Sequence, residues 1–501
     1  MNDKQIKKIM IVGGGTAGWI SAALLSSRFG SEYCEIQLIE SDEISTVGVG
    51  EATIPPIVGF NNLLKLDENE FIRETKATFK LGIEFIDWNK KGESYIHPFA
   101  KYGTAFTHEP FHHHWLNLHP QGKAQALKNY SLACMASEQN KFMRPINRPG
   151  SPLSAIGYAF HLDAGLYAQY LRKYAEKRGV KRTEGKIVNT YLKDDGFIES
   201  VEMENGEIYS ADLFLDCSGF RGLLIEKALN TGYQDWRHYL PCDRAIAMPS
   251  ESGLTLRPYT QAQAHSAGWQ WRIPLQHRVG NGHVYSSQHM EDQQALDILS
   301  ENLEGKALGE PRFIKFTPGR RDVFWNKNCV AIGLSSGFLE PLESTSIHLI
   351  QLSLYKLLDL FPTKDFKPEV VDNYNRIMIT KFEQVRDFIV LHYKATERDD
   401  SSFWNYCRTM AIPETLQQKM DLYKSSGVIF RENDELFAEN SWLAVLHGQG
   451  LRVDSHHPLV NAMPDAQAEN ILKQIEEKVA EAVAEMPDHK AYLQSQCGVR
   501  F

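Results

Sequence analysis

The sequence predicts an α/β (α+β) protein, and three features carry that prediction. A short apolar strand, Lys8-Ile9-Met10-Ile11-Val12, runs through a glycine-rich turn into the apolar helix Trp19-Ile20-Ser21-Ala22-Ala23-Leu24-Leu25. Further β-like runs, separated by turn residues, continue as far as Ile332. Beyond Ile347 the apolar residues fall mostly at helical spacing.

The chain has 501 residues, 43% of them hydrophobic, enough for two or three domains or one large composite enzyme. Its net charge of -9 argues against a nucleic acid or an anionic membrane as partner. The seven cysteines are scattered, odd in number and free of CxxC pairs, so reduced thiols are expected. The polar start, Met1 to Lys8, leads straight into a strand, and no apolar run is long enough to span a bilayer. The expected location is cytoplasmic.

The turn Gly13-Gly14-Gly15-Thr16-Ala17-Gly18 has the form GxGxxG. Gly13 permits the tight turn, Gly15 lets the backbone approach a pyrophosphate, and Gly18 lets the helix pack on the strand. The free N–H groups of the helix start, at Thr16, Ala17 and Gly18, face the phosphates. A second strand, Glu35 to Ile39, ends in Glu40, which can accept from ribose hydroxyls. Strand, turn, helix, strand and acid in this order make a specific dinucleotide signature. The signature does not separate FAD from NAD, although the acid at Glu40 disfavours NADP. Neither Gly280-Asn281-Gly282 nor Gly448-Gln449-Gly450 has a third glycine at the right place, so no dedicated nicotinamide domain is visible. Either NAD(P)H docks transiently or a reduced flavin is made elsewhere.

Val47 to Pro56, with two glycines and two prolines, reads as a shaped strap. Glu68 to Trp88 reads as a helix passing into a strand, and a polar, His-rich stretch covers roughly 95–150. Asp163 caps a helix that Gly179 stops. Asp194-Asp195-Gly196 and Glu204-Asn205-Gly206 mark hairpins, and strands follow at Leu213 to Leu215 and Cys329 to Ile332. Helices are expected over Ile347 to Phe361, 369–394 and 466–486. His112-His113-His114 cannot share one face as a ligand set does. No metal is expected, and the three are read as part of a loop near the pocket.

The chain resembles the flavin-dependent tryptophan-halogenase family nearly end to end. Gly13 to Trp19 is similar to its FAD signature, and Val47 to Pro55 to its GVGEAT strap. Gly268-Trp269-Gln270-Trp271-Arg272-Ile273-Pro274 matches WxWxIP, and Leu339-Glu340-Pro341-Leu342-Glu343-Ser344-Thr345 matches LEPLEST. His392-Tyr393 through Phe403-Trp404 is also similar. The fold this implies is an FAD-binding Rossmann-like domain of the aromatic-hydroxylase type, with an inserted sheet and a mostly helical C-terminal substrate module. The expected division is 1–345, with substrate-side insertions at about 80–160 and 225–315, followed by 346–501 packed on it.

What the resemblance implies chemically is FADH2 supplied by a separate NAD(P)H-dependent flavin reductase, without a stable complex. A flavin hydroperoxide oxidises halide to hypohalous acid, which travels to a lysine beside an aromatic small-molecule substrate. That lysine matches Lys80 in Thr78-Phe79-Lys80-Leu81-Gly82-Ile83. Its amine can form a haloamine, or its ammonium can donate a hydrogen bond to the oxidant. From spacing alone Lys80 reads as a solvated helix lysine.

Glu343 matches the family's catalytic glutamate, a base for the ring proton. Thr345 and Ser346, at a helix start, are the halide candidates. His97 and Phe99 match the substrate-flanking pair. Further cofactor contacts are expected at Ala52, Gly333 and Leu334. Trp269 and Trp271 belong near the cofactor, or equally are strand residues alternating onto one face.

Members that take free tryptophan carry a Tyr-Tyr pair where this chain has Trp442-Leu443. That favours an indole or another electron-rich arene, with Trp442 bordering the pocket or packing in the core. The competing reading is an aromatic hydroxylase (monooxygenase) using NAD(P)H, against which Lys80 and WxWxIP argue. A flavin-binding scaffold without turnover is a third, disfavoured by the presence of both candidate catalytic residues. The chain is expected to be a monomer or homodimer.

Overall fold

The computed structural model describes residues 4–43, 50–253 and 255–501, so Val47 to Val49 of the strap lie outside the described residues. The chain divides into two compact units, each assembled from three segments. The first holds Met1–Lys76, Leu162–Arg237 and Lys315–Glu383. The second holds Ala77–His161, His238–Ile314 and Gln384–Phe501.

The first unit is built on a six-stranded sheet. Its order is Trp325–Asn326, Cys329–Ala331, Leu213–Asp216, Lys8–Val12, Glu35–Glu40, Lys181–Glu184. Lys8–Val12 runs parallel to both neighbours, with Val12 opposite Ile39 on one side and Asp216 on the other. Four of its five residues are buried, as expected for a parallel strand covered on both faces. The helix Thr16–Arg28 makes the crossover to Glu35–Glu40. Met10, Val12, Ile39, Phe214, Cys329 and Ala331 form the apolar centre. Burying Met10, Val12, Ile39 or Phe214 contributes on the order of 1.5–3 kcal/mol each.

The hairpin signals of the sequence appear as an antiparallel meander, Ile187–Leu192, Ile198–Met203 and Ile208–Ser210. Its turns carry Gly196 at φ +79° and Gly206 at φ +84°, a region that costs glycine nothing. The Asp163 carboxylate accepts from Gly165 N at 3.0 Å and Leu166 N at 3.1 Å, capping the helix Ala164–Glu176. Helix Ser346–Asp359 and the first part of helix Pro368–Lys394 complete the unit, tied where the Tyr374 hydroxyl donates to Ser353 O at 3.2 Å.

The second unit holds a seven-stranded sheet. Its order is Arg312–Lys315, Arg244–Ala247, Val279–Tyr285, Gly268–Pro274, Thr260–His265, Gly82–Ile86, Ser94–Pro98. The WxWxIP segment is strand Gly268–Pro274, paired along its length with Val279–Tyr285. Trp269 and Trp271 do alternate onto one face, their rings 6.2 Å apart. Trp271 stands opposite Gly282, where a Cβ would run into the indole, so the strand has a glycine there. Strand Thr78–Lys80 pairs antiparallel with Ala159–Leu162.

Around these strands lie helices including Phe111–Leu118, Glu439–Gly448 and Asp465–Glu485, the last burying Leu472, Val479 and Val483. His112, His113 and His114 sit on helix Phe111–Leu118, not in a loop. All three are buried. His112 Nε2 bonds Gly427 O at 3.0 Å, and His114 Nε2 bonds Thr107 Oγ1 at 2.9 Å. Partners inside the protein replace water, which is why a polar run can form a buried helix.

Among the described residues no helix is long and apolar enough to cross a membrane, and no cluster of side chains has metal-ligand geometry. All seven cysteines are buried free thiols.

Candidate active site

In the first unit the glycine-rich turn is shaped for close approach. Gly13 adopts φ +110°, and a Cβ there would collide with the Cys217 carbonyl. A Cβ on Gly18 would collide with Gly13 O. Trp19 N is the first amide to bond back, to Gly15 O at 3.1 Å, which leaves the N–H groups of Thr16, Ala17 and Gly18 outside the helix ladder. The Glu40 carboxylate lies against Gly14, where a Cβ would overlap it, and accepts from Arg182 Nε at 2.6 Å. Gly333, at φ +74°, opens the 3₁₀ turn Gly333–Ser335, and a Cβ there would come within 2.8 Å of Ala17 Cβ. The turn, Glu40 and the Gly333-Leu334 segment therefore converge, and donors plus carboxylate fit the pyrophosphate and ribose of a nucleotide cofactor. Ala52, buried, sits on the two-residue strand Glu51–Ala52 beside Glu51, whose carboxyl burial pushes up to about 7.

Also in this unit, Pro341–Glu343 form a 3₁₀ turn, Ser344 takes φ +57°, and helix Ser346–Asp359 begins. Glu343 is fully buried. The first bond of the helix runs from Leu349 N to Thr345 O at 2.9 Å, so the amides of Ser346, Ile347 and His348 have no intrahelical partner. Thr345 is 1% exposed, and its Oγ1 has no hydrogen-bond partner among the described residues. An orphan hydroxyl beside a helix N-terminus fits a small anion.

In the second unit Lys80 ends strand Thr78–Lys80 with 0% exposure, opposite Ala159. The reading from spacing alone, a solvated helix lysine, is overturned. The strand arises because it pairs with Ala159–Leu162 along one edge and all three of its residues are buried, with Phe79 stacked on Phe142 at 3.9 Å. Lys80 Nζ lies 5.1 Å from the Phe99 ring centre, within cation–π range. Burying an ammonium is costly unless it is held by such partners, which marks the position as built rather than incidental.

The same unit gathers an aromatic cluster. His97, on strand Ser94–Pro98, has its ring 5.7 Å from Phe388 and 6.2 Å from Phe437. Phe388 and Phe437 stack at 3.7 Å, and Trp442 meets Phe388 edge-on at 5.0 Å. Trp442 is buried, and its indole N–H has no partner among the described residues. Lys419 lies over the Trp442 ring at 5.0 Å and pairs with Glu435 at 3.0 Å. Phe388 and Phe437 escaped the sequence reading. Phe388 sits in the apolar run Phe388-Ile389-Val390-Leu391, which looks like any core helix. His161, opposite Thr78, escaped for the same reason.

A sequence profile described as tryptophan halogenase matches residues 8–465. The tryptophan 7-halogenase RebH of Lentzea aerocolonigenes is 34% identical over 533 residues, spanning 99% of each chain. The chain belongs to the flavin-dependent tryptophan halogenase family. Solved structures agree. Xcc4156, a flavin-dependent halogenase from Xanthomonas campestris, matches with a TM-score of 0.95 and 45% identity over 99% of both chains. BrvH from Brevundimonas sp. BAL3 matches at 0.94 and 46%, over 98% of this chain and 99% of the other.

The protein is thus a flavin-dependent halogenase-family enzyme of mixed α/β fold. The family works with a flavin, a halide, an aromatic substrate and a separate flavin reductase. The hydroxylase reading is not favoured.

Proposed function

We propose that this enzyme uses FAD, reduced by a separate NAD(P)H-dependent reductase, to halogenate an indole or another electron-rich arene at Lys80. The observation that carries the reading is a fully buried lysine on a strand, its Nζ 5.1 Å from the Phe99 ring. Bound FADH2, with oxygen, supplies the oxidising power that turns halide into hypohalous acid.

The chain's residues do the rest. Gly13, Gly15, Thr16, Ala17 and Gly18 seat the pyrophosphate, and Glu40 takes the ribose. Ala52, Gly333 and Leu334 complete the cofactor contacts. Thr345 and Ser346 hold the halide at the helix start. Lys80, its Nζ over the Phe99 ring, donates a hydrogen bond to the oxidant and aims it. Glu343 takes the ring proton as aromaticity returns. His97 and Phe99 flank the substrate ring, and Trp442 borders it.

Three further features bear on substrate and setting. Trp442-Leu443 stands where a Tyr-Tyr pair would hold an amino-acid group. Lys419, the charge over the Trp442 ring, is already paired with Glu435. Both favour an arene without a zwitterionic tail. Buried, unbridged thiols suit a reducing cytoplasm, and a monomer or homodimer suffices for the chemistry.

The test is a reductase-coupled reaction with chloride or bromide across indoles, phenols, pyrroles and free tryptophan, read by mass spectrometry. Halogenated indole with little halotryptophan is expected. Efficient halogenation of free tryptophan would refute the substrate assignment.

A further inference from the structure

Lys80 shares one face of its strand pair with Thr78, Ala159 and His161, because Thr78 stands opposite His161 and Lys80 opposite Ala159. Ala159 leaves the diagonal from His161 to Lys80 open, a separation that a long side chain spans. His161 is fully buried and makes two hydrogen bonds. Its Nδ1 lies 3.0 Å from Thr78 Oγ1 and its Nε2 2.9 Å from Thr260 Oγ1.

The direction of each bond follows from proton counting. The single Thr78 hydroxyl proton goes to Pro274 O at 2.6 Å, since a carbonyl can only accept. Thr78 Oγ1 therefore accepts from His161 Nδ1–H. With the ring neutral, as its lowered pKa requires, Nε2 carries no proton and Thr260 donates to it. The imidazole is neutral and locked in one tautomer. Burial, and then the charge of Lys80, hold its pKa well below the ordinary value.

His489 itself is neutral on the same logic, its Nδ1 donating to Leu256 O at 3.1 Å and its Nε2 accepting from Phe79 N at 3.2 Å. The three-residue strand is thus pinned through Thr78 and Phe79, and through Pro274 to the end of the WxWxIP strand.

We propose that His161 is a positioning residue for Lys80, a hydrogen-bonded imidazole that fixes the strand carrying the lysine and places no charge against its ammonium. This rests on the reading of Lys80 as the residue that directs the oxidant. A shift of the strand by a fraction of an ångström would leave halide oxidation intact but send the oxidant astray.

Two products are measured in the reductase-coupled assay: halogenated arene, and oxidised halide captured by a 1,3-diketone trap. For His161→Phe, arene turnover at saturating substrate should fall about ten- to a hundredfold while trapped oxidant and arene KM stay near wild type. His161→Asn, which keeps an N–H aimed at Thr78, should recover much of that loss. If His161→Phe does not fold, Thr78→Val carries the same expectation.

The proposal is overturned if the folded variant halogenates like wild type, or if arene product and trapped oxidant fall together. Lys80→Ala, run alongside, separates the two layers. Persistent halogenation by Lys80→Ala sinks the reading of the lysine itself. Its loss alongside an unaffected His161→Phe sinks the positioning role alone.

Discussion

At the scale of single residues, the glycines of the turn and the buried histidines give the sharpest expectations. Gly18 has no room for a side chain, because a Cβ would strike Gly13 O. Gly18→Ala should weaken flavin binding at least about tenfold by forcing the helix start away from its strand, measured by fluorescence titration of the folded variant. Wild-type affinity would contradict the assignment of the turn.

The histidines His112, His283 and His489 are each held by burial at about 4. An unfolded histidine titrates near 6.5, so between those values the unfolded chain binds protons that the folded chain refuses. Stability is then unaffected above about pH 6.5 and is lost as the pH falls towards 4, at a limit of roughly 3 kcal/mol per histidine. Thermal melts from pH 7 to pH 5 should show a falling midpoint. A flat profile would mean that these imidazoles find charged partners when protonated.

At the scale of elements, caps and strands decide what was legible in the sequence. Asp163 was readable as an N-cap because its carboxylate needs only local geometry, and the structure gives it two backbone amides. Asp163→Ala should cost about 1 kcal/mol, seen as a lower urea midpoint with unchanged slope. No shift would mean that tertiary packing alone holds the helix Ala164–Glu176.

The first strand, the glycine turn, both hairpins and the helix Ser346–Asp359 were equally plain, because turn chemistry and periodicity are local. The helix Phe111–Leu118 was missed, since three histidines read as polar until a partner distant in sequence, Gly427 for His112, is known. Lys80 shows the same limit. Three residues are too few for a period, and only pairing with Ala159–Leu162 makes Thr78–Lys80 a strand. Phe388, Phe437 and His161 stayed hidden because their neighbours are ordinary core residues. The cluster that gathers His97, Phe388, Phe437 and Trp442 is drawn from three separate elements and the segment before helix Glu439–Gly448.

At the scale of the whole molecule, each compact unit is assembled from three separate stretches of chain, so neither can be cut out as a continuous segment. One glycine-rich fingerprint serves the entire chain. Pure protein given FAD and NADPH, but no reductase, should therefore consume NADPH no faster than the uncatalysed background. Substrate-stimulated oxidation would instead restore the hydroxylase reading.

The central claim is that a buried lysine turns diffusible oxidised halide into a directed halogenation. The most direct measurement compares wild type with Lys80→Ala in the reductase-coupled assay, following halogenated indole by mass spectrometry and bound flavin by absorbance. Full flavin occupancy with a loss of halogenated product of at least about a hundredfold is the predicted result. Undiminished halogenation by the flavin-loaded variant would contradict it.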